Sequence, residues 1–393
     1  MDISGLLELV VGILMSLSPD YPVEKAETKV LFETSSGERI LLHDDYNLIV
    51  ALPPGRVCMS TSWLNGGINE NLEAIVNHCI PRKICHEQEL EGGSLENYLG
   101  VVASSLGYNS SSTSVLLTAA SMRNASVVSH SYRGLEVSAI VTAGIEVNGC
   151  RVGDPASYYQ EDGQWKPFVG TINIMLLIGA ALPQYALSRA IITVTEAKAA
   201  VLQELMISSQ YSSGIATGTG TDMLAIVSNS DSNLNLTDAG PHSKLGELIG
   251  KCVHEGIRDA LLRQSDISAL AQRDTLVRLE RFGITEASFW KASTNLEGEN
   301  RKKHFIATLR DLSSNPSVVS LTSSVLHLVD EVSWGLLPEA SASKIAVSCM
   351  RCLPKIISTE ADSIPDDLFE IRDPILDNFV RAMAWTVKNK IYD

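Results

Sequence analysis

The seven residues Ala216-Thr217-Gly218-Thr219-Gly220-Thr221-Asp222 place three hydroxyls and one carboxylate around two glycines. Glycine lets the backbone approach a ligand closely, while threonine and aspartate supply hydrogen-bond donors and acceptors. A tight turn needs one or two such residues, so seven in succession indicate a lined site. We predict that Thr217, Thr219 and Thr221 bind a substrate and that Asp222 takes part in catalysis.

Two further side chains extend this site to acid–base chemistry. Glu196 is assigned, with Thr193, to the polar side of a helix, and His242 immediately precedes the start of another helix. Glu196 or Asp222 is the predicted base acting on water, and His242 the predicted proton donor. Lys244 is a candidate binding residue at the same helix start. A solvated helix face and a cap partner are the structural alternatives for Glu196 and His242.

Three other polar positions are candidate binding residues. Asn65-Gly66-Gly67 follows a predicted strand and is either a site loop or a plain turn. Arg123 can clamp an amide oxygen or tie down a turn. Asn173 lies in an apolar run and is a candidate donor to a developing oxyanion.

The elements that position these residues are short buried strands and amphipathic helices. Residues 170–177 and 223–227 read as buried strands, and the helix between them has an apolar stripe at intervals of three and four. Asn71 and Asn77 have spacings that suit a helix after the glycine loop. Many strands come in pairs without a regular β-α rhythm, so we predict an α/β (α+β) protein with mixed sheet layers and flanking helices.

The chain divides near residue 264. Residues 1–264 contain every motif, and residues 265–393 form a predicted helical C-terminal appendage. A chain that ends near Gln264 is therefore expected to keep the site.

Composition restricts the class of protein. The 31 Lys and Arg against 46 Asp and Glu give a net charge of −15, which disfavours nucleic acid as a partner. Seven scattered cysteines argue against a disulfide scaffold. The apolar run over residues 6–17 lacks a basic start and is short for a membrane span, so we predict a buried helix, no membrane insertion and a cytoplasmic protein.

Several polar motifs recur in an order that resembles the adenosylcobinamide amidohydrolase family. They are Ser62-Trp63-Leu64-Asn65-Gly66-Gly67, Thr118-Ala119-Ala120, Thr142-Ala143-Gly144, Arg151-Val152-Gly153-Asp154, the run from Ala216 to Asp222, and Gly240-Pro241-His242-Ser243-Lys244-Leu245-Gly246-Glu247. The resemblance implies hydrolysis of adenosylcobinamide to adenosylcobyric acid and 1-aminopropan-2-ol in cobamide salvage. A corrinoid would then be the substrate, with no cofactor, and a homo-oligomer is one option for the assembly.

The sequence is also compatible with other mechanisms and other functions. A threonine nucleophile from among Thr171, Thr217, Thr219 and Thr221 competes with attack by water. A corrinoid-binding or transport-linked protein without catalysis, or a self-processing threonine- or serine-type amidase, competes with the hydrolase. The group His78, Cys79, Cys85 and His86 has poor spacing for zinc, so we expect no metal requirement.

Overall fold

The computed structural model describes residues 28–81, 90–156, 170–360, 362–370 and 372–391. The helix predicted over residues 6–17 lies outside these residues, as do Cys85 and His86. The chain forms two compact units. The N-terminal unit comprises Met1–Tyr211 and Ala216–Ile267, and the C-terminal unit comprises Ser212–Ile215 and Ser268–Asp393.

The N-terminal unit contains two main β-sheets. The first, sheet A, has the order β1-β2-β3-β6-β7, in which only β6 and β7 pair in parallel. Its strands are β1 (Thr28–Glu33), β2 (Arg39–His43), β3 (Asn47–Ala51), β6 (Ala74–Cys79) and β7 (Thr113–Thr118).

The second, sheet B, has the order β5-β4-β13-β11-β9-β8, and its parallel pair is β11 with β13. Its strands are β4 (Arg56–Ser60), β5 (Gly67–Asn69), β8 (Ser126–Tyr132), β9 (Leu135–Ala143), β11 (Ile172–Ile178) and β13 (Met223–Asn229). A small ladder joins β10 (Gly149–Cys150) to β12 (Gly218–Thr219).

Helices cover the outer faces of both sheets, which gives four layers. Residues of α1 (Leu95–Ser105) share an apolar cluster with one face of sheet A, and α2 (Gln184–Glu204) and α3 (Lys244–Ser265) share another with sheet B. A third apolar cluster contains residues of both sheets, including Ile75 and Met175. Neighbouring strand residues point to opposite faces, so Val76 joins the cluster with α1.

This architecture confirms the predicted α/β class with mixed sheets and flanking helices. The helix expected around Asn71 and Asn77 is wrong, because β5 and β6 occupy that stretch. Five of the six residues of β6 are buried, and a strand buried on both faces lacks the alternating pattern that would have identified it.

The C-terminal unit is helical over its described residues. Its helices are α4 (Thr275–Leu279), α5 (Glu286–Ser293), α6 (Lys302–Ser313), α7 (Pro316–Ser333), α8 (Glu339–Met350), α9 (Leu353–Ile356) and α10 (Ile375–Lys388). They enclose their own apolar core, in which Phe289 and Phe379 are completely buried.

Candidate active site

One edge of the N-terminal unit contains the three threonines and the aspartate of the predicted site. We name it the glycine–threonine edge: the loops that enter β11 and β13, residues 170–171 and 217–222, together with the ends of β4, β7 and β9 beside them. Because β11 and β13 are parallel, the loops that enter them lie at the same edge of sheet B. Ala143, at the end of β9, pairs with Ile172, and Thr61 after β4 bonds Leu224.

Asp222 is the centre of hydrogen bonding at this edge. Its Oδ1 accepts the Ile172 N–H at 2.9 Å and the Thr219 hydroxyl at 2.6 Å. Its Oδ2 accepts the Thr219 N–H at 3.0 Å and an ion-pair hydrogen bond from Lys198 Nζ of α2. The Asp222 and Lys198 side chains are each 14% exposed. The predicted catalytic carboxylate therefore holds the turn, orients a threonine hydroxyl and neutralises a lysine.

The other threonines lie around this centre. Thr221 Oγ1 donates to the Gly170 carbonyl at 2.8 Å and lies 2.6 Å from Thr171 Oγ1. Asn148, which is buried, donates to the same Gly170 carbonyl at 2.9 Å. Thr217 Oγ1 accepts the Val152 N–H at 3.0 Å. Thr219 is the member of this threonine group whose hydroxyl donates to a carboxylate.

Asn173 belongs to a buried polar network that links the two sheets behind this edge. Its Nδ2 donates to Asn77 Oδ1 at 2.8 Å and to the Leu117 carbonyl at 3.0 Å, and its Oδ1 accepts the Met223 N–H at 3.2 Å. Asn77 in turn donates to Thr142 Oγ1 at 2.8 Å. Asn173 thus fixes β11 to β6 and β7, and its hydrogen bonds all stay within the protein.

The charged groups around Asp222 shift the pKa of a nearby thiol, that of Cys150. Burial raises the pKa of Cys150, the Asp222 and Asp154 carboxylates raise it further, and Lys198 opposes them. A thiol held in its neutral form is a weak nucleophile. Cys150 is therefore not activated as a thiolate.

The opposite edge of sheet B carries His242 and Lys244. We name it the histidine edge: residues 179–183, which follow β11, and residues 230–243, which follow β13. Ala181 N–H donates to the Leu234 carbonyl, and Lys244 Nζ lies 4.7 Å from the centre of the Tyr132 ring at the tip of the β8–β9 hairpin. A seven-residue strand is roughly 20 Å long, so this edge is well separated from Asp222.

Glu196 and His242 are not joined by a hydrogen bond in the described structure. Glu196 is exposed on α2 and His242 is exposed before α3, and neither has a hydrogen-bonding partner in the part of the chain that the structure describes. Lys244 forms an ion pair with Glu247. Thr193, assigned to the polar side with Glu196, is instead buried and donates to the Ala239 carbonyl at 2.7 Å, because the segment before α3 packs over that part of α2.

The remaining predicted binding residues have structural partners. Asn65 Nδ2 donates to the carbonyls of Ser110 and Thr113 at 2.6 and 2.7 Å. A Cβ on Gly66 would lie 2.1 Å from the Ser62 carbonyl oxygen, and Gly67 has a φ of +78°, so both positions require glycine. Arg123 forms an ion pair with Asp45 in the β2–β3 turn.

Lys198 is a site residue that the sequence prediction missed. It follows Val194 by four residues and precedes Val201 by three, so it lies along the buried stripe of α2. A lysine on such a stripe requires an acidic partner, and this signal could have identified it. Asn148 gave a weaker signal, as one polar residue in a polar loop.

Two negative findings apply to the described ranges. Across residues 28–81, 90–156, 170–360, 362–370 and 372–391, no group of three or more His, Cys, Asp or Glu side chains is arranged to hold a metal ion. Within the same ranges, no helix is long and apolar enough to cross a bilayer.

The N-terminal unit is an α/β sandwich that matches a family of amidohydrolases. The match extends over residues 32–269, more than half of the chain, and the chain belongs to the adenosylcobinamide amidohydrolase family.

Individual relatives cover the same part of the chain. An uncharacterized protein of Methanocaldococcus jannaschii is 33% identical over 239 residues, which are 58% of this chain and 90% of the relative. An adenosylcobinamide amidohydrolase of Methanosarcina mazei is 30% identical over 207 residues, 51% of this chain and 88% of the relative.

One solved structure is also similar. It is the PH0078 protein from Pyrococcus horikoshii, with 13% identity and a TM-score of 0.29 over 61% of this chain and 83% of that one.

Proposed function

We propose that this chain hydrolyses adenosylcobinamide to adenosylcobyric acid and 1-aminopropan-2-ol, in the cytoplasm, as a salvage step toward a complete cobamide. The observation that carries the proposal is the family match, because residues 32–269 include every polar residue of the glycine–threonine edge. The arrangement around Asp222 supports the glycine–threonine edge as the active site.

The geometry favours Thr219 as nucleophile and Asp222 as its base. A nucleophile, a base within hydrogen-bond reach and a third group that orients the base are the usual elements of covalent catalysis. Thr219, Asp222 and Lys198 are joined in that order. The threonine mechanism is therefore preferred to the Glu196–His242 pair.

The reaction would proceed in two steps. Thr219 Oγ1 attacks the amide carbon as its proton passes to Asp222, and the C–N bond then breaks while the departing amine takes that proton. Water next cleaves the threonine ester, again with Asp222 as the base, and releases the carboxylic acid. Gly220 is exposed at the tip of the turn, and its N–H is a candidate donor to the oxyanion.

Turnover of adenosylcobinamide tests the function directly. Incubation with the purified protein, followed by chromatography and mass spectrometry, should yield equal amounts of adenosylcobyric acid and 1-aminopropan-2-ol. A change in corrin absorbance on mixing, without products, would instead identify a corrinoid-binding protein that lacks catalysis.

The four-layer arrangement favours one second candidate, a self-processing amidase. Four-layer αββα peptidases have this order of helices and sheets, although a shared architecture does not define a function. The intact mass of purified protein distinguishes the two. We expect one chain of 42.5 kDa, whereas two fragments would favour self-processing.

A further inference from the structure

The short strand β10 runs beside the glycine–threonine turn. In its ladder with β12, Gly149 lies opposite Thr219 and Cys150 lies opposite Gly218. Asn148 directly precedes this ladder and is only 1% exposed. A buried side-chain amide needs hydrogen-bonding partners, and the partners of Asn148 determine which groups it holds in place.

The Asn148 amide donates to both loops that enter the parallel strands. Its Nδ2 donates to the Gly170 carbonyl, before β11, at 2.9 Å and to Thr221 Oγ1, before β13, at 3.4 Å. Thr221 Oγ1 itself donates to the same Gly170 carbonyl at 2.8 Å. Asn148 therefore joins the two loops at the edge of sheet B at which Thr219 lies.

A tyrosine hydroxyl fixes the direction in which this amide faces. Tyr211 Oη donates to Asn148 Oδ1 at 3.2 Å, so the oxygen lies on the tyrosine side and the NH₂ group on the side of Gly170. If the amide were turned over, its oxygen would face the Gly170 carbonyl oxygen, and two acceptors cannot form a hydrogen bond.

Asn148 Oδ1 also lies beside the residue between the two threonines. A Cβ added to Gly220 would lie 3.4 Å from this oxygen. Thr219, on one side of Gly220, donates to Asp222, and Thr221, on the other side, accepts the Asn148 amide. The direction of the Gly220 N–H, the candidate donor to the oxyanion, therefore depends on both hydrogen bonds, and such a donor acts only if its direction is fixed in advance.

From these contacts we infer that Asn148, oriented by Tyr211, is a positioning residue for the reaction and keeps the Gly220 N–H directed at the developing oxyanion. The catalytic consequence rests on the proposed function. An interaction made only in the transition state changes kcat and leaves KM nearly unaltered. The inference therefore predicts a loss of kcat without a loss of substrate binding.

The test replaces Asn148 by aspartate, which has nearly the same shape but no NH₂ group. Asn148→Asp keeps an acceptor for Tyr211 and places a carboxylate oxygen against the Gly170 carbonyl. The matched control is Asn97→Asp, because Asn97 Nδ2 likewise donates to a glycine carbonyl at 2.9 Å, that of Gly92 beside α1. Thermal unfolding, kcat and KM for adenosylcobinamide are measured for both variants of the full chain. Hydrogen exchange is measured on the peptide that contains the glycine–threonine turn.

We expect Asn148→Asp to lose about 100-fold in kcat, the scale of a misplacement of about 1 Å, with KM within about twofold of the parent. Amides of the turn should exchange faster in this variant, whereas Asn97→Asp should match the parent in both measurements. At lower pH the introduced carboxyl takes up a proton and can donate again, so the ratio of variant kcat to parent kcat should rise. A parent-like kcat in the folded variant, or a loss that does not diminish as the pH falls, would overturn the inference.

Tyr211→Phe tests the orientation of the amide with a smaller change. It removes only the hydroxyl at Asn148 Oδ1, and we expect kcat to fall about fivefold with KM unchanged, the scale of one hydrogen bond. If Asn148→Asp does not fold, the same measurements on Tyr211→Phe decide the question, and parent-like values would overturn the inference.

Failure of the proposed function is distinguishable from failure of this inference. If the parent does not hydrolyse adenosylcobinamide, the proposed function fails, but hydrogen exchange still tests the placement of the turn. Exchange in Asn148→Asp as slow as in the parent would then show that Asn148 does not hold the turn.

Discussion

Two aspartates of the N-terminal unit hold comparable turns at opposite edges of sheet B. Asp222 accepts the Thr219 N–H and pairs with Lys198 of α2, while Asp238 accepts the Gly240 N–H at 3.0 Å and pairs with Arg189 of the same helix. The difference is exposure. The Asp222 and Lys198 side chains are each 14% exposed, whereas those of Asp238 and Arg189 are 54% and 55% exposed.

Solvent exposure determines how strongly the aspartate and its cationic partner interact. In water an ion pair is screened and contributes little, whereas a pair shielded from solvent interacts strongly and has a fixed geometry. The Gly240 N–H and Arg189 lower the pKa of Asp238, which keeps it a carboxylate on the surface. The turn of Asp222 and the segment that begins at Gly240 both resemble motifs of the family, so motif membership alone does not distinguish the two edges.

Replacing the aspartate at each edge by asparagine should give the largest difference in kcat between the two edges. Asp222→Asn leaves Lys198 unpaired and removes the base, so we expect kcat to fall about 10³-fold, or roughly 4 kcal/mol in barrier height. Asp238→Asn is the matched control and should stay within about twofold of the parent, because its ion pair is exposed. Steady-state hydrolysis of adenosylcobinamide measures both, and equal losses would show that the two edges do not differ in this way.

The buried histidine of β6 should affect stability rather than proton transfer. His78, next to Asn77 in β6, is bonded to Asn47 Oδ1 and Tyr98 Oη at 2.7 and 2.8 Å, and burial lowers its pKa from 6.5 to about 4. The unfolded chain therefore binds the proton more tightly than the folded chain. Stability is complete above pH 6.5 and falls as the pH drops toward 4, by on the order of 3 kcal/mol.

Denaturant unfolding across this pH range measures the effect. His78→Gln removes the titrating group and should flatten the dependence between pH 6.5 and 4. A variant as pH-dependent as the parent would assign the effect to other groups.

The threonine hydroxyls of the two edges should also differ in importance. Thr219→Val removes the hydroxyl that donates to Asp222, and we expect a loss of about 100-fold in kcat, while Thr219→Ser should keep most of the activity. Thr193→Val is the matched control, because it removes a buried hydroxyl that donates to the Ala239 carbonyl at the histidine edge. It should leave kcat near the parent value.

Mass spectrometry of the parent, quenched during turnover, should reveal an acyl adduct on the peptide that contains Thr219. Full activity of Thr219→Val would remove the nucleophile role and leave Asp222 acting on water.

The smallest effects are expected for Glu196 and His242. Both side chains are exposed and unpaired in the described structure, and His242 lies at the edge opposite Asp222. Glu196→Gln and His242→Ala should therefore each stay within about twofold of the parent, below the usual range of acid–base contributions. A loss of about 100-fold in both variants would support Glu196 as base and His242 as proton donor, and would show that the histidine edge takes part in catalysis.

The sequence predicted the elements of the fold better than the partners of the polar residues. Strands β11 and β13 and the helix between them were predictable from apolar periodicity, which is a local property. The sequence also predicted the glycine–threonine turn, because its composition is unusual. It could not show that His242 and Asp222 lie at opposite edges, since this depends on the parallel pairing of β11 with β13.

Buried polar residues were the other source of error. Asn77 suggested a helix, yet it lies in a strand whose side chains pack on both faces. Thr193 has the residue type of a solvated position, but the segment before α3 covers it. Such residues are recognised only when their partners, often more than 40 residues away, are known.

The placement of β4 has a consequence for how the chain folds. The strand before it, β3, pairs with β6 in sheet A, whereas β4 pairs with the short β5 on one side and with β13 on the other, where Cys58 lies opposite Val227. During synthesis, sheet A can therefore assemble from nearby strands. One side of β4 has no partner until β13 has been synthesised. Non-local pairing of this kind slows folding and leaves an open strand edge exposed to aggregation. The nascent N-terminal unit is therefore most vulnerable to aggregation before β13 has emerged from the ribosome.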